Sequence, residues 1–288
     1  MRIFRLTNFP GIGTETLFRH GALHHGLLIV MFVLMPSLAT AQQSAVDALG
    51  SFSNLGSYSD LLDGAGGGIS GSDLKEILEG AAENGQPQAL WQLGQMYENG
   101  VGVEQDKVRA FRYFSKIANE NASVPPHSIQ ADIVARSFVK VGEYYKVGLP
   151  GAGIAPDQVQ ARALLIHAAS YFGNASAQYR LGLLYLEDEL GPNPLLGARW
   201  LSLAAQKNQV EAQAVLGDLL FNGAEGIEPK PVEGLMWLTL ARDATLGSKD
   251  EVWVGELLTR AMLVASPEQR MEARNAAKIV RGQLASLQ

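Results

Sequence analysis

One pattern occurs four times along this chain. A small residue opens it, an apolar–Gly pair sits at its centre, and an aromatic or apolar position closes it. It reads ALWQLGQMY at Ala89–Tyr97, SFVKVGEYY at Ser137–Tyr145, AQYRLGLLY at Ala177–Tyr185 and AQAVLGDLL at Ala212–Leu220. A unit that recurs in this way cannot bury its apolar face alone, so neighbouring copies must stack to do it. The pattern fixes the kind of architecture before any catalytic motif is considered. It also moves the functional question from a pocket to a surface.

Each unit reads as two antiparallel helices. In the first, the central glycine (Gly94, Gly142, Gly182, Gly217) has no side chain and lets the neighbouring helix approach closely. A helical Gly costs about 1 kcal/mol against Ala, so four at equivalent positions imply a packing reason. Tyr97, Tyr145 and Tyr185 close three of the motifs and are read as packing residues; Leu220 stands in the fourth. A Gly-rich loop follows each, and then a second helix, over Arg109–Ala118, Ala161–Ala169, Ala198–Ala205 and Leu235–Ala241. Apolar positions recur there at three- and four-residue steps, which gives each helix a buried stripe. Trp91, Trp200, Trp237 and Trp253 fall on such stripes and are expected in the core. Asp106 and Asp157 are placed to cap second helices, while Pro194 and Pro231 suit a first helical turn.

The central glycines lie 48, 40 and 35 residues apart. The first interval is long because of an insert at Asn119–Asp132, whose ValProPro must interrupt a helix. That insert is expected to be exposed, poorly ordered and open to proteolysis. Leu74–Asn84 reads as a lone helix ahead of the first full unit. Asp250–Ala265 and Pro267–Leu284 read as a terminal pair, and SPEQ at Ser266–Gln269 is a helix-start signal with the spacing of a capping box. The last helix is rich in charge, which suits an end cap that turns a polar face to water. The expected fold is therefore all-α: a right-handed α-solenoid of antiparallel helix pairs over 73–249, closed by C-terminal capping helices over 250–288.

The front of the chain is different. Arg2, Arg5 and Arg19 precede an apolar run from Leu27 to Met35, and Ala39 and Ala41 flank Thr40 just before Gln42. The run is too short to span a bilayer, and the small-residue ending is a cleavage signature, so residues 1–41 read as a secretory signal peptide cut before Gln42. Periplasmic residence and no stable membrane span after cleavage follow from that reading. Residues 42–72 are rich in Gly, Ser and Asp and read as a flexible segment. Removing the leader takes the net charge from −6 to −8. An acidic exported chain lacks the Lys and Arg clusters that phosphate neutralisation requires, so nucleic acid is not an expected partner.

Catalytic chemistry finds little to work with. There is no Cys, and only His127 and His167 remain after the leader. No GlyXaaSerXaaGly elbow accompanies them, and neither residue has zinc-ligand spacing. His167, among Leu164, Leu165 and Ala168, is expected to pack or reach a carbonyl; His127 is expected in solvent. The acidic Glu187–Glu189 run lacks the ordered spacing of a calcium loop. No cofactor, metal or catalytic residue is assigned, and the chain is read as a non-enzyme.

The motif AlaXaaXaaXaaLeuGlyXaaXaaTyr, a Gly-rich loop and a second helix ending AlaAla together resemble the Sel1-like repeat, a variable-length relative of the tetratricopeptide repeat. The second unit departs from it with Val141 for Leu and Ser137 for Ala. A narrower resemblance rests on the leader, the Pro-containing insert, GLPGAGIAPD at Gly148–Asp157 and AASYFGNASAQYRLG at Ala168–Gly182. These are similar to the periplasmic negative regulators of exopolysaccharide production. The resemblance implies a protein partner, the periplasmic domain of a sensor histidine kinase, which the regulator holds inactive. Two other readings stay open on the residues alone: an exported repeat-scaffold enzyme acting on cell-wall material, and a scaffold for envelope assemblies.

Overall fold

The computed structural model describes residues 71–187 and 191–285. The cleavage residues Ala39, Ala41 and Gln42, and nearly all of the 42–72 segment, lie outside them. Among the described residues the chain is all-helical, with eleven α-helices and one short 3-10 turn. It divides into two compact units that meet in sequence at Asp106 and Lys107.

The described part of the first unit holds α1 (Gly71–Glu83) and α2 (Pro87–Asn99). The first helix begins at Gly71, two residues before the sequence boundary drawn at Asp73. Pro87 occupies the first turn of α2, where its missing N–H is no loss. Leu74 and Leu78 of α1 and Leu90, Trp91, Leu93 and Met96 of α2 are buried. The second helix ends where the Gly100 N–H reaches the Met96 carbonyl at 2.8 Å.

The second unit runs α3 (Lys107–Glu120), α4 (Ala131–Val147), the 3-10 turn Pro150–Ala152, α5 (Gln158–Ser170), α6 (Ala175–Glu187), α7 (Pro194–Ala205), α8 (Val210–Asn222), α9 (Pro231–Ala244), α10 (Glu251–Val264) and α11 (Pro267–Ala285). Helices pack in hairpins, α4 with α5, α6 with α7 and α8 with α9, and each hairpin also packs against the next. Local chemistry sets the starts. Asp157 caps α5 by accepting from the Gln160 N–H, and Asn193 caps α7 from the Leu196 N–H, both at 2.9 Å. Asn174 does the same for α6 through the Ala177 N–H. Pro194 and Pro231 open α7 and α9.

Helix α9 is buried on two sides. On one side Met236, Trp237 and Leu240 join Leu201, Ala204, Leu216, Leu220 and Ala277. On another, Leu235 and Leu238 join Ala261, Ala265 and Ala273 from the terminal pair. A helix apolar on most of its circumference belongs inside a stack, with neighbours on several sides. Each fully buried Leu there contributes about 1.5–3 kcal/mol relative to exposure.

Candidate functional site

The repeated motif becomes a repeated crossing. In the hairpin α8–α9, a Cβ placed on Gly217 would lie 2.8 Å from the Leu238 nitrogen and 2.9 Å from the Gly234 carbonyl oxygen. Gly234 is equally constrained, with the Phe221 nitrogen at 2.6 Å and the Gly217 oxygen at 2.7 Å from its virtual Cβ. Gly182 and Gly197 face each other in the same way in α6–α7. In α4–α5 the contact is looser: Gly142 faces the Ala161 carbonyl oxygen at 3.4 Å. Gly94 is buried in α2. The partner position on the second helix is thus Ala161, Gly197 or Gly234, always four residues after the helix-capping position.

A second feature recurs with the first. The carbonyl of the motif's closing residue accepts a backbone N–H from the residue just ahead of the second helix. The pairs are Asp106 to Tyr97, Asp157 to Tyr145, Asn193 to Tyr185 and Lys230 to Leu220, at 2.7–2.8 Å. This latch uses main chain only, which explains how Leu220 substitutes for Tyr without loss. Between latch partners the loop turns at Gly148 and Gly223. Both have φ near +80°, and a Cβ on either would press into Pro156 or Pro229.

Adjacent hairpins are tied by buried glutamines. Gln178 donates to the Ala169 carbonyl at 3.2 Å and Gln213 to the Ala205 carbonyl at 3.1 Å, each reaching the end of the preceding helix. The Arg162 guanidinium of α5 sits 5.6 Å from the ring centre of Tyr185 in α6. Arg180 of α6 pairs with Glu143 of α4, and Lys146 with Glu187 at 3.8 Å. Asp188 and Glu189, the rest of that acidic run, lie outside the described residues.

The insert breaks the helix and is exposed, as expected, but it is not without structure. It forms consecutive turns between α3 and α4, held through main-chain bonds such as Val124 to Asn121 and Ser128 to Pro125. His167 of α5 reaches it, with Nε2 at 3.1 Å from the Ala122 carbonyl oxygen. The imidazole is stacked on Tyr171 (5.2 Å, 9°) and packed against Phe138 (4.6 Å) and Phe172. The segment is exposed, as Ile129 and His127 show, yet its start is pinned by an aromatic cluster. His167 packs and reaches a carbonyl, as expected, but which carbonyl it reaches is not legible in sequence, because the partners are 45 residues apart.

The aromatic residues divide. Tyr97, Trp91 and Trp237 are buried. Tyr145, Tyr185, Trp200 and Trp253 are half-buried, and Trp253 donates to Asp250 at 2.9 Å. In the second repeat the buried tyrosine is Tyr144, whose ring meets Phe111 edge-on at 5.6 Å; Tyr145 meets the same ring at 6.1 Å. Burial pushes the Tyr145 hydroxyl above its ordinary pKa, and the Asp157 carboxylate adds to the shift. Tyr179 is raised in the same way, by burial first and then by Glu211. Burial lowers the Lys207 ammonium, which donates to the Gly173 carbonyl. Among the described residues no three His, Cys, Asp or Glu cluster to hold a metal.

Comparison with known proteins accords with this geometry. The Sel1 repeat family model matches residues 87–121, 139–170, 175–209 and 210–245; the last three matches fall on the hairpins α4–α5, α6–α7 and α8–α9, and the first runs over the sequence of α2 and α3. The exopolysaccharide production negative regulator of Rhizobium leguminosarum bv. viciae is 34% identical over 199 residues, covering 69% of this chain and 72% of that one. The chain belongs to this family of Sel1-repeat regulators. A second family member, from Rhizobium meliloti (strain 1021), is 31% identical over 199 residues and is matched over 71% of its length. The fold of the family is also that of a Sel1 repeat protein from Oxalobacter formigenes, whose crystal structure aligns with a TM-score of 0.54 and 24% identity over 75% of this chain and 80% of that one. For this regulator family member the crossings, latches and glutamine ties are the machinery that holds successive repeats in register. None of its described helices is long and apolar enough to cross a membrane.

Proposed function

We propose that the chain is an exported, non-catalytic negative regulator of exopolysaccharide production that acts by holding the periplasmic domain of a sensor histidine kinase. The observation that carries the reading is the match to two relatives named for that regulation, over 199 residues and four repeats rather than over a short motif. Stacked helix pairs suit it, because they offer extended surfaces to protein segments. One of the two histidines a catalytic reading could use is engaged otherwise: His167 is stacked on Tyr171 and bonded to the Ala122 carbonyl. Export rests on the leader-like residues 1–41, with cleavage before Gln42. The packing residues Gly94, Gly142, Gly182 and Gly217 serve this function indirectly, by fixing the surface that the partner meets.

The test is genetic and biochemical together. Deleting the gene is expected to raise exopolysaccharide output, and a tagged chain is expected to co-purify with one envelope sensor domain. Unchanged polysaccharide in the deletion strain sinks the regulatory reading.

A further inference from the structure

The last helix carries its charge in an unfavourable arrangement. Arg270, Arg274 and Lys278 stand at steps of four residues, so they share one face of α11. Like charges at that spacing repel along a helix. Arg270 also lies in the first turn, where the helix dipole opposes a cation. No described carboxylate pairs with any of the three, whereas Arg281 on the same face is paired with Asp243 of α9. Arg270 is half-buried, and its Nε has no hydrogen-bond partner among the described residues. The four cations line an open groove of about 520 Å³ between α9 and α11, together with Thr239, Met271 and Asp243. Asp243 is the one carboxylate in its lining, which Arg281 neutralises and so leaves three cations uncompensated. All this occurs in a chain whose acidic residues outnumber its basic ones, 29 to 23.

The geometry points to this groove as the docking site for an acidic polypeptide segment of the protein partner, an inference that rests on the reading that the chain works by holding a protein. Three cations about 6 Å apart along a helix match carboxylates repeated at the same helical step. Met271, 60% exposed at the groove, offers a soft apolar contact that a peptide's side chains can use. An acidic polysaccharide fits less well, because no aromatic ring lines the groove for a sugar face to stack on.

Labelled poly-L-glutamate titrated into the purified chain at low and high salt tests the inference. R270Q/R274Q/K278Q is compared with R112Q/R199Q/K249Q, which removes the same charge from exposed positions elsewhere. The groove variant relieves repulsion, so it is expected to fold with an unchanged or raised Tm. Binding is expected to weaken at least tenfold in the groove variant, to stay within twofold in the control, and to fall with salt. Equal loss in both variants overturns the inference, as does equally tight binding of polygalacturonate at matched carboxylate. A groove variant that restores normal exopolysaccharide control to a deletion strain overturns it too. An unchanged deletion strain defeats the regulatory reading instead, and leaves the titration to stand on its own.

Discussion

Glycines that look identical in the sequence differ in what surrounds them. At Gly142 an added Cβ would meet its neighbours at 3.4–3.7 Å, ordinary contact distances. Alanine there is expected to recover about 1 kcal/mol of helix propensity, raising Tm by a few degrees. At Gly217 the same Cβ would press on the Leu238 and Gly234 main chain, which cannot rotate away. G217A is therefore expected to lose about 1–3 kcal/mol and lower Tm, read by thermal melts of the two variants side by side. The motif makes the four glycines visible but not this difference, which depends on how far the second helix leans in. Gly197 and Gly234 are legible only in retrospect, each three residues ahead of a tryptophan (Trp200, Trp237). Gln178 and Gln213 stood inside the motif, yet a polar residue at a helix start gives no hint that it will be buried.

The terminal helix shows how much of an element its first turn decides. The capping box of α11 is formed in both directions: the Gln269 N–H reaches the Ser266 hydroxyl at 3.2 Å, and the Ser266 N–H reaches the Gln269 side chain at 2.9 Å. The Glu268 carboxyl is held below its ordinary pKa by its own N–H and by the Ser266 hydroxyl. A carboxylate depressed on folding adds stability above the unfolded value, near 4.5, and loses it as pH falls through the lower folded value. S266A is expected to cost about 1 kcal/mol at neutral pH. E268Q is expected to flatten the acid limb of the stability curve below about pH 4.5; denaturant melts from pH 3 to 7 check both. Helix starts of this kind were readable, since SPEQ, Asp157, Pro194 and Pro231 act within a turn. What pins the insert was not, because His167 reaches Ala122 from a helix 45 residues away.

At the scale of the whole molecule, the stack has an end that must be closed. Ala261 of α10, Ala265 just after it and Ala273 of α11 cover Leu235 and Leu238 of α9. A chain stopped after Ser248 would expose that face, and it is expected to aggregate, as size-exclusion chromatography would show. The four-repeat architecture was legible because stacking demands recurrence. Arg270, Arg274, Lys278 and Arg281, by contrast, read in sequence as a charged outer face. Against the expectation of no Lys and Arg cluster, they form one basic groove once the helix winds them onto a single side. The main-chain latch carries a consequence of its own. It closes loops of different length with one and the same bond, from Tyr185 to Asn193 and from Tyr145 to Asp157. Insertions and deletions between latch partners therefore leave the hairpin's geometry alone. Lineages are free to edit these loops, and an epitope tag spliced into one would report on the protein without disturbing its frame.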